Sequence, residues 1–289
     1  MKRLRLQVYW MLKVLVTGGE GQLGRDLVSL LQAAGYDVEG PGRDALDVTR
    51  HEAVREWLQS RRPDIIVHSA AYTDVDGAER AIDTAWQVNS ESTRNLAAAA
   101  EALGAKLVYI STDYVFGSSG HTLPYEEATP VDPINVYGQT KASGEAHVQN
   151  LHTRHFIIRT SWMYGRHGRN FVKTMLELAK GDMPIQVVDD QVGSPTWTED
   201  VSRCILRLIA TEKYGIYHVT NAGSCSWHEF AAAIFELSGI DKSIQPVSSA
   251  EFPRAARRPA YSVLAHSALA AGGFPPMRHW RDALTDYLA

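Results

Sequence analysis

The sequence contains very little cysteine: Cys204 and Cys225 are the only two among its 289 residues. Two cysteines cannot form the disulfide framework of a small secreted domain. Neither belongs to a CxxC pair or lies near a histidine at zinc-ligand spacing, so we expect both to be buried apolar side chains in a reducing compartment. The sequence therefore predicts neither a disulfide-stabilised fold nor a zinc site.

Long apolar runs and an excess of one charge are missing as well. No segment approaches the roughly 18 unbroken apolar residues of a membrane span. The chain carries 29 Lys+Arg against 33 Asp+Glu, and its net charge of −4 provides no long-range attraction to nucleic acid or to an anionic membrane. The apolar part of the N-terminus is too short for a signal peptide. We therefore expect a globular, cytoplasmic protein, with residues 1–10 as an N-terminal extension.

From Met11 onward, short β-branched runs alternate with longer segments of helical spacing. The strands predicted from these runs are residues 13–17, 37–39, 64–68, 106–111 and 156–159. This alternation predicts an α/β fold, a Rossmann-type doubly wound parallel sheet with helices on both faces. The pattern weakens after residue 165, and the composition of residues 241–262 indicates a loop. We predict a dinucleotide-binding domain over residues 11–165 and a smaller α/β substrate lobe, packed against it, over residues 166–289.

A glycine-rich turn, GGEGQLG at residues 18–24, follows the first predicted strand. A dinucleotide site needs a tight turn, a backbone close to the pyrophosphate and a helix N-terminus directed at the anion. The alternative is a plain turn that uses glycine for positive φ, but the position between a strand and a helix favours nucleotide binding. The cofactor-binding residues predicted here are Gly18, Gly21, Gln22, Leu23 and Gly24.

The segment after the second predicted strand bears on the choice of cofactor. NAD-preferring sites usually place an acid there for the ribose 2′-hydroxyl, whereas an arginine accommodates the 2′-phosphate of NADP. Here Glu39 is followed by Gly-Pro-Gly and then by Arg43, which could pair with a 2′-phosphate. A solvated loop arginine is the alternative. We expect NADPH, with NADH as a second cofactor, and we place Asp47 and Val48 beside the adenine.

Tyr137 and Lys141 are four residues apart and share one face of the helix predicted from Val136. An ammonium about 4 Å from a phenol, at an effective dielectric of ~20, favours the phenolate by at most ~4 kcal/mol, or about 3 pK units. We therefore expect Lys141 to bring the pKa of Tyr137 toward neutrality and to hydrogen-bond the cofactor ribose. Thr112, at the tip of a strand, offers a hydroxyl to a substrate carbonyl; local turn capping by Thr112 and Asp113 is the alternative.

Together these residues resemble the extended short-chain dehydrogenase/reductase superfamily, with its glycine-rich turn, Ser/Thr and Tyr-xxx-Lys. Further stretches are similar to one branch, the dTDP-4-dehydrorhamnose reductase family, and the likeness covers residues 11–289. The matching stretches are STDYVF at 111–116, NVYGQTK at 135–141, RTSW at 159–162, NF at 170–171, DQxGxPT at 190–196 and RRP at 257–259.

The resemblance implies roles for individual residues. The catalytic triad would be Thr112, Tyr137 and Lys141. The side chains lining the sugar-nucleotide pocket would be those of Asp113, Tyr114, Phe116 and Trp162. The residues passing beside the cofactor would be Ala70, Ala71 and Tyr72. Independently of the resemblance, the basic loop with Arg254, Arg257 and Arg258 could clamp a nucleotide diphosphate or simply lie in solvent.

The resemblance also implies a reaction, hydride transfer from a reduced nicotinamide to the C4 ketone of dTDP-4-dehydro-L-rhamnose to give dTDP-L-rhamnose. Some family members form homodimers with Mg²⁺ held by carboxylates; Asp26 and Glu199 stand at the matching positions, and we assign no metal. The alternatives are another nucleotide-sugar epimerase, dehydratase or reductase, and a non-catalytic regulatory subunit. An intact Thr112, Tyr137 and Lys141 set disfavours the subunit.

Overall fold

The computed structural model describes residues 11–117, 120 and 122–289, so the predicted extension, residues 1–10, lies outside the described part. The strands are β1 Lys13–Thr17, β2 Asp37–Glu39, β3 Ile65–His68, β4 Lys106–Thr112, β5 His155–Thr160, β6 Met163–Tyr164, β7 Ile185–Val188, β8 Val192–Gly193, β9 Thr196–Trp197, β10 Gly215–His218, β11 Cys225–Ser226 and β12 Ile244–Val247. The helices are α1 Gln22–Ala33, α2 His51–Arg61, α3 Val75–Ala78, α4 Ile82–Trp86, α5 Ser92–Leu103, α6 Val136–Leu151, α7 Phe171–Leu178, α8 Thr198–Ile209, α9 Trp227–Leu237, α10 Ser267–Ala271 and α11 Trp280–Leu288.

The main sheet has six parallel strands in the order β10-β5-β4-β3-β1-β2. The chain runs outward from β1 to β2 and then crosses back to β3 on the other side of β1. The connections after β1 and β3 therefore leave in opposite directions, which opens a crevice at the carboxyl ends of these strands. The prediction of a doubly wound α/β fold is confirmed.

Strand β1 shows how one segment serves both faces of this sheet. Val14 and Val16 belong to the core formed with Leu27 of α1 and Ile205 of α8, whereas Leu15 belongs to the core on the opposite face. Successive side chains of a strand alternate between faces. Because both faces are covered, the strand is apolar throughout, and burial of each such Val or Leu contributes about 1.5–3 kcal/mol.

The C-terminal part of the chain has a third core that includes Phe230 of α9, with α7 and α11 packed around this helix. The prediction that residues 241–262 are all loop is wrong at β12, which pairs in parallel with β7. Pro246 argues against a strand in the sequence, because a proline cannot donate a backbone hydrogen bond. It is tolerated here because β12 and β7 form a two-stranded sheet in which each is an edge strand. The division at residue 165 stays a prediction, since α8 packs on α1 and β10 forms an edge of the main sheet.

Both cysteines are buried free thiols, Cys204 in α8 and Cys225 in β11. Burial raises the pKa of Cys204 to about 12. In the part of the chain that the structure describes, no helix is long and apolar enough to cross a membrane.

Candidate active site

A crevice of about 760 Å³ lies at the carboxyl edge of the main sheet. It brings together residues from the turns after β1, β2, β3, β4 and β5, which are far apart in the sequence. The predicted site residues on its wall are Gly18, Gly21, Gln22, Leu23, Gly24, Arg43, Asp47, Val48, Ala70, Ala71, Tyr72, Thr112, Asp113, Tyr114, Tyr137 and Trp162.

The turn after β1 leaves no room for a Cβ at Gly18, Gly19 or Gly24. Gly18 has φ +67°, and a Cβ on Gly24 would lie 2.2 Å from the Gly18 carbonyl oxygen. A Cβ on Gly19 would lie 2.3 Å from the Gly40 carbonyl oxygen. Gly21 is the N-cap of α1 and supplies no side-chain cap, so the first N–H groups of the helix are free to bind an anion. These residues fit the pyrophosphate of a dinucleotide.

The adenosine end of the crevice carries one arginine and one ordered carboxylate. The Arg43 side chain is 78% exposed, with its Nε 3.6 Å from the Asp47 carboxylate. The hydrogen bond from the Thr49 backbone is the main reason that the pKa of Asp47 is lowered. Glu39, the acid at the end of β2, pairs instead with Arg61 at 3.2 Å. The arginine therefore reaches the crevice while this acid is held elsewhere.

Helix α6 begins beside the crevice because Asn135 caps it: its side chain accepts a hydrogen bond from the Gly138 N–H at 2.7 Å. Tyr137, in the first turn, lines the crevice, whereas Lys141 lies behind the wall and is 2% exposed. The Lys141 Nζ donates to the Ile110 carbonyl at 2.6 Å. Burial lowers the pKa of Lys141 to about 7, and attraction to a carboxylate one turn further along α6 opposes this.

The expectation that Lys141 lowers the pKa of Tyr137 differs from what the structure shows. Burial raises the pKa of Tyr137 above 10.0, the nearby Asp113 carboxylate raises it further, and a hydrogen bond with Thr112 lowers it. The physical reason is that the Lys141 ammonium is directed to the Ile110 carbonyl and lies 4.0 Å above the Tyr109 ring. Tyr137 is therefore a neutral phenol at physiological pH.

The hydroxyl of Thr112 caps the local turn, and its contact with a substrate carbonyl stays a prediction. It accepts a hydrogen bond from the Tyr114 N–H at 3.1 Å, which caps the 3₁₀ turn Asp113–Val115. It also donates to the Asp113 carboxylate at 3.0 Å and interacts with Tyr137. Burial raises the pKa of Asp113 to about 6, although Ser262 donates to this carboxylate at 2.7 Å.

Phe116 does not line the crevice, contrary to its predicted place in the sugar-nucleotide pocket. It is fully buried and stacks on Tyr125, with ring centroids 4.3 Å apart. The turn that Thr112 caps, Asp113–Val115, follows β4 directly and ends its extended conformation. As a result, Tyr114 faces the crevice and Phe116 packs into a small core with Leu264.

Two residues that the sequence reasoning missed support the crevice wall. Asn89 is 1% exposed in a π-helical turn, Gln87–Glu91, where the sequence predicts the start of a regular helix. Its amide donates to the Tyr72 carbonyl and to Thr140, and its oxygen accepts from the Tyr72 N–H. Trp227 stacks on Trp162, with ring centroids 3.6 Å apart. The sequence signal for Asn89 was a polar residue within a helical pattern. Turns of this π-helical kind are frequent at functional sites.

The basic loop with Arg254, Arg257 and Arg258 makes contacts within the protein and does not lie wholly in solvent. Arg258 forms a forked ion pair with Asp76, at 2.5 and 2.8 Å, and a hydrogen bond with Tyr114. Arg254 lies over the Phe252 ring at 4.7 Å. The Arg258 guanidinium therefore links the loop near the C-terminus to the segment after β3.

We predict that Asp76→Asn lowers the free energy of unfolding by about 1–3 kcal/mol, because Arg258 loses a charge-assisted partner. The Arg258 side chain holds the pKa of Asp76 at about 2, below its ordinary 3.8. The carboxylate therefore stabilises the fold above pH 3.8, and this contribution is lost as the pH falls through about 2. Urea unfolding should show the difference between wild type and variant shrinking in acid, and a difference independent of pH would contradict the assignment.

The two carboxylates considered for Mg²⁺ have other partners. Asp26 accepts a hydrogen bond from Thr198, with His167 3.6 Å away, and Glu199 accepts two from Arg203. Across residues 11–117, 120 and 122–289, no group of three His, Cys, Asp or Glu residues could hold a metal ion.

An oxidoreductase of the extended short-chain dehydrogenase/reductase class is the kind of protein in which a doubly wound sheet presents a tyrosine, with a lysine one helical turn behind it, to a glycine-lined crevice. The chain belongs to the family described as the RmlD substrate binding domain, whose model matches residues 12–289.

Individual relatives agree with this membership. The chain is 45% identical over 278 residues to a spore coat polysaccharide biosynthesis protein of Bacillus subtilis, covering 96% of this chain and 97% of the relative. It is 45% identical over 279 residues to a dTDP-4-dehydrorhamnose reductase of Streptomyces griseus, covering 94% and 91%. It is also similar to the crystal structure of dTDP-4-dehydrorhamnose reductase from Bacillus anthracis in complex with NADP, with a TM-score of 0.94, 46% identity and 96% and 99% coverage.

Proposed function

We propose that this protein reduces the C4 ketone of dTDP-4-dehydro-L-rhamnose with NADPH, giving dTDP-L-rhamnose, the last step of dTDP-rhamnose biosynthesis. The observation that carries the proposal is the neutral Tyr137 phenol on the crevice wall, beside Thr112 and opposite the glycine turn. The relatives named dTDP-4-dehydrorhamnose reductase, and the NADP complex of one of them, support the substrate and the cofactor.

The cofactor would be held by the backbone of residues 18–24, with Ala70, Ala71 and Tyr72 along its other side and Asp47 and Val48 at the adenine. When bound, NADPH supplies the hydride. Asn89 keeps the Tyr72 backbone in place on one side. To hydrogen-bond the ribose, the Lys141 ammonium would leave the Ile110 carbonyl, to which it donates behind the crevice wall.

The proton needed to complete the reduction would come from Tyr137. A phenol held neutral by burial carries its proton until a stronger base, the developing C4 alkoxide, is within hydrogen-bond reach. Thr112 would hold the same oxygen. The O–H bond of Tyr137 breaks as the O–H bond of the product alcohol forms. The remaining phenolate would be favoured by its hydrogen bond with Thr112, and by the Lys141 ammonium once that group turns from the Ile110 carbonyl toward it. Asp113, Tyr114 and Trp162 would contact the sugar nucleotide.

An assay with the 4-keto sugar nucleotide tests the proposal. We expect the absorbance of the reduced nicotinamide to fall in proportion to the keto sugar consumed. We expect NMR to identify the product as dTDP-L-rhamnose. An epimerase would retain bound NAD⁺ and consume no NADPH. A dehydratase would act on a sugar nucleotide that does not yet carry the C4 keto group. A regulatory subunit would turn over neither substrate.

We expect Arg43→Gln to raise the KM for NADPH about threefold to tenfold and to leave the KM for NADH unchanged, because only NADPH carries the 2′-phosphate. The effect is modest because the side chain is 78% exposed. Arg55→Gln is the matched control, since this exposed arginine pairs with Glu52 on α2, away from the crevice wall. Equal changes for both cofactors would exclude a contact between Arg43 and the phosphate.

A homodimer and a cytoplasmic location also follow from the proposed family role. The buried free thiols of Cys204 and Cys225 are consistent with a reducing compartment. Analytical ultracentrifugation and cell fractionation test the two proposals, and a monomer or a secreted protein would contradict them. A Mg²⁺ requirement is testable in the same assay by adding a chelator, and we expect no loss of activity.

A further inference from the structure

Glu145 lies one helical turn beyond Lys141 on α6 and is almost completely buried. Its carboxylate accepts a hydrogen bond from the Ser111 hydroxyl at 2.5 Å. It also accepts two from the Arg159 guanidinium, Nε at 2.9 Å and Nη2 at 2.7 Å. Removing a carboxylate from water is costly, and a buried one is found where its partners compensate for that cost. The Glu145 carboxylate has such a set of partners.

The partners of Glu145 come from the strands that carry the proposed active site. Ser111 directly precedes Thr112 at the end of β4, and Arg159 directly precedes Thr160 at the end of β5. Ser111 and Arg159 are neighbours across these two strands. One carboxylate thus joins both strand ends to the helix that bears Tyr137.

Arg159 is itself held from its far side. Its Nη1 donates to the Glu127 carbonyl at 3.1 Å and lies 3.3 Å from the His218 ring nitrogen, and its guanidinium lies 5.0 Å from the Phe116 ring centre. The guanidinium is therefore held on both sides, and the Glu145 carboxylate cannot turn away from β5 without leaving a buried guanidinium unpaired.

Ionisable groups from several elements surround the Lys141 ammonium. They are His68 of β3, Tyr109 of β4 and Glu145 of α6 itself. Burial holds the pKa of His68 at about 3, so this ring is neutral, and burial lowers the pKa of Lys141 to about 7. Attraction to Glu145 acts in the opposite direction and favours the ammonium.

We propose that Glu145 is a positioning residue for the reduction: it aligns the ends of β4 and β5 with α6 and balances the charge of Lys141. This inference rests on the proposed function. Glu145 does not line the crevice, and it hydrogen-bonds the wall residue Ser111, so it acts through Lys141 and the strand ends and not on the substrate.

The test is Glu145→Gln, which keeps the shape of the side chain and removes its charge. We expect the pKa of Lys141 to fall by about 1 pH unit or more, because the carboxylate no longer favours the ammonium. The titration is followed by NMR of protein labelled with ¹³C at lysine Cε, and the Lys141 signal is identified by its loss in Lys141→Arg. We expect kcat above neutral pH to fall about tenfold and to recover at lower pH, with the KM for the sugar nucleotide within about twofold of wild type.

Asp200→Asn is the matched control. Asp200 is a partly buried carboxylate that accepts hydrogen bonds from Arg278 and Asn221, both at 2.8 Å, in another part of the fold. This variant is expected to lose stability and to keep the wild-type titration of Lys141 and the wild-type pH profile. An unchanged Lys141 titration in Glu145→Gln would overturn the proposal.

If Glu145→Gln does not fold, Glu145→Asp tests the positioning role of Glu145. It keeps the charge but withdraws the carboxylate by one methylene, so we expect a near-wild-type titration of Lys141 and a kcat lowered about threefold to tenfold. A wild-type kcat would overturn the positioning role. If the wild-type protein reduces no 4-keto sugar nucleotide, the proposed function fails, while the NMR titration still tests the link between Glu145 and Lys141.

Discussion

Replacing Tyr137 with phenylalanine is expected to lower kcat by about 10²- to 10⁴-fold while NADPH still binds. General acid catalysis by one positioned side chain contributes a factor of this size. The substitution removes the hydroxyl and little else, because Tyr137 meets Tyr114 edge to face through its ring, with centroids 5.9 Å apart. The measurement is single-turnover reduction of the keto sugar nucleotide, together with NADPH binding by fluorescence.

Tyr164→Phe is the control for this experiment. Tyr164 is fully buried in the C-terminal core, and its hydroxyl has no hydrogen-bond partner among the residues described. Loss of that hydroxyl should leave kcat unchanged and should not reduce stability. If Tyr137→Phe turned over at the wild-type rate, another group would have to supply the proton.

Substituting Gly24 with alanine is expected to raise the Kd for NADPH by about 100-fold or more. A Cβ at this position would lie 2.2 Å from the Gly18 carbonyl oxygen and 2.8 Å from the Gly19 Cα, and these backbone atoms cannot move aside as a side chain would. The start of α1 must therefore shift relative to the turn. A displacement of about 1 Å is enough to lose a factor of 10² at a precisely organised site, and overpacking costs a further ~1–3 kcal/mol of stability.

Gly104→Ala separates backbone strain from loss of the cofactor cradle. Gly104 ends α5 with φ +69°, and an added Cβ would have no atom within 4 Å. We expect a stability loss of about 1–2 kcal/mol from the left-handed conformation, with NADPH affinity unchanged. Calorimetric titration of both variants makes the comparison, and wild-type affinity in Gly24→Ala would rule out the proposed pyrophosphate cradle.

The prediction of the fold succeeded where the information is local. The apolar run of β1, the glycines after it and the helical spacing of α1 each follow from neighbouring residues, and together they indicate a strand-turn-helix unit. The helical turns α3 and α10 were missed because each has only four or five residues, too few for a periodic pattern. Strand β12 was missed because its hydrogen bonds come from β7, about 60 residues away.

Most of the predicted site residues line the crevice because the strand ends of a parallel sheet meet at one edge. Their roles stay predictions. Phe116 was misplaced because its direction depends on the 3₁₀ turn that Thr112 caps. The pKa of Tyr137 was expected to fall because spacing on a helix says which side chains are near one another but not where a flexible ammonium points. In the fold, the Ile110 carbonyl takes up the Lys141 ammonium.

By itself, the sequence determined the first five strands of the main sheet, the glycine turn and the helix face shared by Tyr137 and Lys141, because each depends on residues within a few positions of one another. Only the tertiary structure decided that Lys141 is buried and that Glu145 meets Ser111 and Arg159. Those contacts exist only once β4 and β5 lie side by side beneath α6, since sheet assembly is what brings distant charges together and removes water from around them.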